Sequence, residues 1–209
     1  MRAELVAGAA LAALVIGIAA SGAESQTLAA RAARFPAVRT VTAILEQERE
    51  VSLVDEILRA RGTLVLAAPA AMRLDLTEPE PLTLIAAGGA VTVLDADGAP
   101  RPVPAEAAGL ARFARTMTDL LLGRAAPAGF QEHWEDDDTV ALSADEASAP
   151  FAAIHLRFAP DRPLPIEIVL VERGGDRTTI RLRDVRVDAP VDAARLRLPT
   201  GDPAAGSAP

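Results

Sequence analysis

The chain has 209 residues, half of them hydrophobic, and a formal net charge of -8. That length suits one domain, and the acidic balance argues against nucleic acid as a partner, because phosphate binding requires a basic surface. The sequence contains no cysteine, which excludes a disulfide framework, a thiol nucleophile and a cysteine-based metal site.

The first 23 residues have the pattern of an export signal. Arg2 precedes an apolar run from Leu5 to Ala20, and Ser21 and Ala23 then stand at the small-residue spacing of a cleavage site. This pattern predicts cleavage and a mature chain that starts at Glu24. The alternative is an uncleaved anchor, although the apolar run is shorter than the roughly 20 residues of a spanning helix.

A helix is predicted at the start of the mature domain. Pro36 suits the first turn of a helix, and apolar side chains then follow at helical spacing. These side chains are Val38, Val41, Ile44 and Leu45. The charged segment over residues 47–57 is predicted as the end of this helix running into a strand.

Four strands are predicted next, each bounded by turn residues. Apolar and polar side chains alternate over residues 72–77, which is typical of a half-buried strand. Pro69, the prolines at 79 and 81, and the pair Gly88-Gly89 separate the strands, and the acidic turn 95–98 follows the last of them. The predicted strands are Gly62–Ala67, Met72–Thr77, Leu82–Ala87 and Val91–Leu94. Their close spacing predicts an antiparallel meander.

An amphipathic helix is predicted over residues 105–123. Its apolar positions follow the i, i+3, i+4, i+7 pattern and are Leu110, Phe113, Ala114, Met117 and Leu121. Such a stripe usually packs into an ordinary core, and contact with a ligand is the alternative.

A second group of strands follows. The predicted strands are Phe130–Trp134, Thr139–Ser143, Phe151–Phe158, Pro165–Glu172 and Thr178–Val187. In the last of them the apolar positions change parity near Arg183-Asp184, which indicates a bulge or bend because side chains alternate with a period of two. The small, proline-containing tail over residues 202–209 is predicted to be disordered.

These elements predict a mainly β fold of the α+β type. One curved antiparallel sheet would form an incomplete barrel, with helices covering its concave apolar face, because an apolar sheet face must be covered. The whole sheet would belong to one domain over residues 24–201. A half-barrel closed by helices leaves an apolar cleft, which is the kind of site where ligands bind.

The order of these segments resembles the periplasmic carriers of outer-membrane lipoproteins, the LolA family. The likeness includes the run from Ala60 through Pro69, Met72, Pro79 and Leu82 to the Gly88-Gly89 turn and Val91–Leu94, and the closing segment Pro199-Thr200-Gly201-Asp202. The sequence differs from the family at Ala68, where the family carries an arginine tied to lid closure. It also has Met72 and Leu74 where the family has aromatic residues.

The resemblance implies a periplasmic carrier that shields the acyl chains of a lipoprotein or lipid between the inner and outer membranes. It implies a lipidated cargo, transient contacts with an inner-membrane donor and an outer-membrane acceptor, and a monomer without cofactor or metal. The candidate lining of the cleft is aliphatic: Leu64, Leu66, Met72, Leu74, Leu76, Ile154, Leu156, Ile166 and Ile168 from the sheet, with Leu110, Phe113, Met117 and Leu121 from the helix. The alternative is a periplasmic regulatory or scaffold protein that senses lipid or binds a membrane partner.

No pattern in the sequence indicates an enzyme. His155 lies on the polar parity of its strand, so an exposed histidine is favoured over a catalytic one. The acidic run 135–138 beside His133 could hold a hard cation, but it lacks the spaced ligands and turn glycine of a calcium loop, and a solvated turn is favoured. Ser52, Ser143 and Ser148 have no partner base, and no phosphate-binding loop or nucleophile elbow is present.

Overall fold

The computed structural model describes residues 26–53, 56–102, 118–120, 126, 129–144 and 151–199, and its strands form one antiparallel sheet. The 11 strands are β1 Thr40–Val51, β2 Glu56–Ala67, β3 Ala71–Glu78, β4 Leu82–Ala87, β5 Ala90–Leu94, β6 Pro100–Arg101, β7 Phe130–Trp134, β8 Thr139–Ala144, β9 Ala153–Phe158, β10 Pro165–Val171 and β11 Arg177–Val187. A short helix, α1, spans Leu28–Ala32 before the sheet, and a 3-10 helix spans Ala193–Leu196 after it.

Two meanders make up this sheet. Strands β1 to β6 pair with their sequence neighbours, as do β7 to β11, and the first strand pairs with the last in the middle, where Val41 lies opposite Val187. The outermost strands are β6 and β7, so the sheet is not closed into a barrel. The single open antiparallel sheet expected from the sequence is therefore confirmed.

The helix predicted from Pro36 onward is wrong. Residues 40–51 form β1, which pairs along its whole length with β2 and also with β11. Val41, Ala43 and Leu45 alternate with more exposed neighbours and are buried, so the period is two rather than 3.6. The segment 47–57 likewise belongs to the β1–β2 hairpin and contains no helix end among its described residues.

Three register shifts occur between the described strands, and two of them involve β1 and β2. Such irregularities bend a sheet locally. At Arg61/Gly62 the pairing of β2 with β3 shifts, and a side chain at Gly62 would begin 2.2 Å from the carbonyl oxygen of Asp75. At Thr42/Ile44 the pairing of β1 with β11 shifts opposite Asp184, which has a φ of 50°. The bulge predicted near Arg183-Asp184 is therefore confirmed, and glycine at position 62 is explained by close backbone approach.

Helical cover of the sheet is seen only in part. Of the helix predicted over 105–123, residues 118–120 are described and helical, and Leu120 is buried in the core. The rest of that helix lies outside the described residues, as do the predicted export signal and the tail. Within the described ranges, no helix is both long and apolar enough to cross a membrane.

Candidate functional site

One face of the sheet carries a continuous apolar surface, here called the inner face. It comprises the positions that share a parity with Leu64 in β2 and Leu156 in β9. Pairing brings them together across strands, because Leu66 lies between Val41 and Met72, and Ile168 lies between Leu156 and Ile180. Alternation within each strand therefore builds one surface from residues that are distant in sequence.

Six of the predicted lining residues belong to a single buried cluster on this face. They are Leu64, Leu66, Met72, Ile154, Leu156 and Ile168, and each is at most 5% exposed. Leu74 is partly buried and packs against the cluster, and Leu76 is half-buried on the same parity of β3. The structure therefore brings these residues to one surface.

Ile166 does not join them. The pairing of β10 with β9 skips this residue between Pro165 and Glu167, so it is the extra residue of a bulge. It lines an open groove of about 570 Å³ together with Arg157 and Arg181, whose side chains belong to the opposite face. The sequence prediction placed Ile166 on the same face as Ile168 because the two residues are two positions apart. The bulge breaks this alternation, since one inserted residue reverses the face.

The four predicted lining residues from the middle helix lie outside the described residues: Leu110, Phe113, Met117 and Leu121. Leu120, which lies beside them in sequence, is 1% exposed within the same cluster as Leu64 and Leu156. This part of the chain therefore supplies at least one apolar side chain to the cover of the inner face.

Further members of the cluster were not among the predicted lining residues. They include Leu84, Val140, Leu142, Phe158, Leu164, Leu170, Ile180 and Leu182, as well as Val41 and Leu45 of β1. The signal for most of them was present, since Phe158 shares the parity of Leu156 and Leu170 that of Ile168. The surface is larger than predicted and extends over both meanders.

Two aromatic side chains stack on each other at the β7–β9 end of this surface, and Phe130 and Phe151 also pack against it. Trp134 stacks on Phe158 with ring centroids 6.3 Å apart, and the Trp134 indole N–H donates to Glu132 at 3.3 Å. Among the described residues, the other buried members of the cluster are aliphatic, with one methionine. A surface of this kind offers dispersion contacts to flexible hydrocarbon and few directional bonds.

A buried arginine holds α1 against that aromatic end. The Arg31 guanidinium lies 4.4 Å from the centre of the Phe158 ring, pairs with Asp138 at 3.1 Å and donates to the carbonyl of Ala159 at 2.7 Å. The backbone N–H of Leu28 donates to the Glu132 carboxylate at 2.8 Å. These contacts seat Leu28 in the cluster, so α1 covers one end of the inner face.

The opposite face, here called the outer face, carries a row of paired charges over β9, β10, β11, β1 and β2. Arg157, Glu167, Arg181, Glu48 and Arg59 follow one another across five strands, with successive nitrogen–oxygen distances of 3.3, 2.9, 3.1 and 3.1 Å. Hydrogen bonds from Arg181 and Arg59 lower the pKa of Glu48. Burial alone would raise the pKa of Glu167, but Arg157 and Arg181 outweigh it and lower that pKa.

The acidic run between β7 and β8 is used within the fold. Asp136 accepts the backbone N–H of Asp138 at 2.8 Å, and Asp138 pairs with Arg31. Hydrogen bonding from the Asp138 backbone lowers the pKa of Asp136. In the part of the chain that the structure describes, no group of three or more potential metal ligands converges.

His155 lies on the outer face, with its Nδ1 atom 3.8 Å from a Glu135 oxygen, and its side chain is partly exposed. His133 is exposed on β7. Neither histidine faces the apolar cluster, because both lie on the outer parity of their strands.

Comparison with solved structures identifies proteins of similar fold. The chain is similar to a LolA superfamily protein from Nitrosomonas europaea, at 10% identity with a TM-score of 0.48 over 83% of this chain and 99% of that one. For a DUF1329 family protein from Desulfovibrio piger the identity is 10% and the TM-score 0.46, over 81% and 94% of the two chains. For MucB in the Pseudomonas aeruginosa MucA/MucB complex the identity is 12% and the TM-score 0.43, over 82% of this chain and 58% of that one.

Structural similarity at this level does not indicate function. A comparison with curated protein sequences gives no match. The family model described as outer membrane lipoprotein carrier protein LolA matches residues 37–197, which includes all 11 strands and the 3-10 helix. On that match, the chain belongs to the LolA family.

Proposed function

We propose that the protein is a periplasmic carrier that binds the acyl chains of a lipoprotein or lipid on its inner face and moves them from the inner to the outer membrane. The observation that carries the proposal is the aliphatic cluster around Leu66, Leu156 and Ile168, which extends over both halves of an open sheet. Exposing acyl chains to water costs about 0.8 kcal/mol per CH₂ group, so a carrier requires such a surface.

The cover of this surface supports exchange of a ligand. Leu28 from α1 and Leu120 from the connection between the two meanders lie in the cluster, and the described residues form no second sheet over it. Acyl chains that displaced such segments would replace one set of apolar contacts by another. Binding and release then depend on a small difference between two large contact energies, as a carrier requires.

The export signal predicted over the first 23 residues and the membership of the family support a periplasmic location. An export signal cleaved after Ala23 would deliver the domain to the periplasm, where lipidated cargo is handed from a donor to an acceptor. The proposal requires neither a cofactor nor a metal, and it has the protein act as a monomer without chemistry of its own.

Native mass spectrometry of protein purified from a bacterial periplasm tests the proposal directly. We expect co-purified lipid or lipoprotein on the wild type and its loss in Leu74→Glu, because a carboxylate placed among apolar contacts is unfavourable unless it is paired. Gln131→Glu is the matched control, since Gln131 is exposed on the outer face of β7.

A second measurement uses the lack of cysteine. Single variants Leu74→Cys and Gln131→Cys can be reacted with a maleimide in the presence of a synthetic diacylated lipopeptide or of the same peptide without acyl chains. We expect the lipopeptide alone to protect position 74 and neither peptide to protect position 131. Folded protein that is purified empty and shows no protection at position 74 would refute the carrier function.

A further inference from the structure

The β1–β2 hairpin extends past its neighbour and leaves a strand edge open. All of β2 pairs with β1, but β3 pairs with β2 only from Arg61 onward. Pro79 and Pro81 follow β3, and proline has no N–H to donate, so β3 does not continue along the hairpin. Within the described ranges, no strand pairs with Glu56–Ala60 on that side.

The backbone groups that face this opening can be assigned. The Ala68 N–H donates to Arg39 at the start of β1, whereas the Arg61 carbonyl accepts the Thr77 hydroxyl from β3. Even-numbered residues of this strand therefore direct their backbone groups toward β1, and odd-numbered residues direct them away. The N–H and C=O groups of Ile57 and Arg59 accordingly point toward the open side.

The side chains along the edge are accessible as well. Ile57 is 52% exposed and Leu58 47% exposed, on opposite faces of the strand, and the Arg59 side chain is 70% exposed. Proteins usually protect such edges with charges or cover them. Here Ile57 and Leu58 stay accessible between two exposed charged residues, Glu56 and Arg59, and the Arg59 Nε atom lies 3.1 Å from a Glu48 oxygen on the outer face.

We propose that the edge Glu56–Ala60 binds an extended segment of a partner protein by addition of an antiparallel strand. The segment carries an acidic residue opposite Arg59 and β-branched residues opposite Ile57 and Leu58, because cross-strand pairs of these types are favourable. A second copy fits less well. Self-pairing centred on Leu58, the register that uses all five residues, would place Arg59 opposite Ile57 and Glu56 opposite Ala60, so neither charged side chain would meet an opposite charge across the new strand pair.

A pair of five-residue peptides of equal composition tests the proposal. In the antiparallel register, Val-Glu-Val-Ile-Lys places its glutamate opposite Arg59 and its lysine opposite Glu56, and Val-Lys-Val-Ile-Glu reverses both charges. We expect the first peptide, capped and fluorescently labelled, to bind about tenfold more tightly, since two cross-strand pairs change sign. Amide resonances of Ile57 and Arg59 should shift on binding.

Two variants separate strand addition from adsorption. Ile57→Pro removes an N–H on the open side and leaves the bonds to β1 in place, so binding should be lost, whereas Ile57→Val should retain it. Arg59→Glu should abolish the preference between the two peptides even if Ile57→Pro fails to fold. Equal binding of both peptides to the wild type, no binding at millimolar concentration, or a dimer that Ile57→Pro dissociates would each overturn the proposal.

Discussion

The two faces of the sheet are built by the same strands and are stabilised in different ways. On the inner face, Leu156 and Ile168 are fully buried beside each other. On the outer face of the same strands, Arg157 and Glu167 form an ion pair that water can reach. Burial dominates the first face because apolar contacts add with area, whereas exposed ion pairs contribute little. The position of a side chain on one face or the other therefore does not by itself stabilise the fold. A side chain contributes when other residues cover it and remove it from water.

The largest expected effect tests the inner face directly. Leu66 is fully buried between Val41 and Met72, so Leu66→Ala should lower the free energy of unfolding by about 2–5 kcal/mol. Urea denaturation followed by circular dichroism measures this loss. A change below about 1 kcal/mol would mean that the inner face is not packed as a core.

The second prediction concerns the bend beside that face. A methyl group at Gly62 would lie 2.2 Å from the Asp75 carbonyl oxygen and 2.8 Å from the Leu76 Cα atom, and both are backbone atoms that cannot rotate away. Gly62→Ala should therefore destabilise the protein by about 1–3 kcal/mol through overpacking. Gly88→Ala is not a matched control because of its positive φ, but Gly174→Ala is, since a Cβ there meets nothing within 4 Å. Equal stability of the Gly62 and Gly174 variants would contradict the close approach.

The third prediction uses pH to probe the outer face. Burial alone would raise the pKa of Asp75, but hydrogen bonds from Arg73 and Thr83 and attraction by Arg195 outweigh it, and the pKa is lowered. The Arg195 Nη2 atom lies 2.9 Å from the carboxylate and connects the 3-10 helix to β3. A lowered pKa stabilises the fold above the ordinary aspartate pKa of about 4, and this stabilisation is lost as the pH falls through the folded-state value.

Asp75→Asn should accordingly be less stable than the wild type at pH 7, by about 1 kcal/mol after allowing for solvent screening. The difference should disappear in acid, below the lowered pKa. Thermal unfolding of both proteins between pH 7 and pH 3 measures it. A difference that stays constant over this range would show that the charge of Asp75 is not what stabilises the contact.

The smallest expected effect sharpens the comparison. Leu58 lies on the same strand and the same parity as Leu66 but is 47% exposed. Leu58→Ala should change the free energy of unfolding by no more than about 0.5 kcal/mol, as is usual for surface substitutions. Comparing this change in the free energy of unfolding with that of Leu66→Ala separates the effect of burial from the effect of the face on which the side chain lies. A loss comparable to that at Leu66 would indicate contacts at the hairpin end.

Most strands were predictable because their alternation is local. β4 was predicted with its observed ends, and β7 likewise, and the other strands of the second meander agree within two residues at each end. β1 was mistaken for a helix because Val38, Val41 and Leu45 also fit helical spacing. Pairing with β2 and β11 makes this segment a strand. Pairing with a strand at the far end of the chain leaves no local pattern in the sequence.

The candidate site was predictable to the same extent. Leu64, Leu66, Ile154 and Leu156 follow from parity and lie in the cluster. Ile166 could not be placed, since a bulge between Pro165 and Glu167 depends on how β10 meets β9 and not on its own sequence. The contributions of Leu110, Phe113, Met117 and Leu121 remain predictions.

The pairing of the first strand with the last has a consequence for how the chain reaches its fold. In a chain that emerges from its amino end, β1 can pair with β2 at once, but its other edge stays open until β11 has appeared. Contacts between residues so far apart in sequence close slowly, because the entropy of a long loop is lost before they form. Folding of the complete sheet is therefore limited by its central pair, and an unfinished chain exposes the edge of β1 to unintended partners.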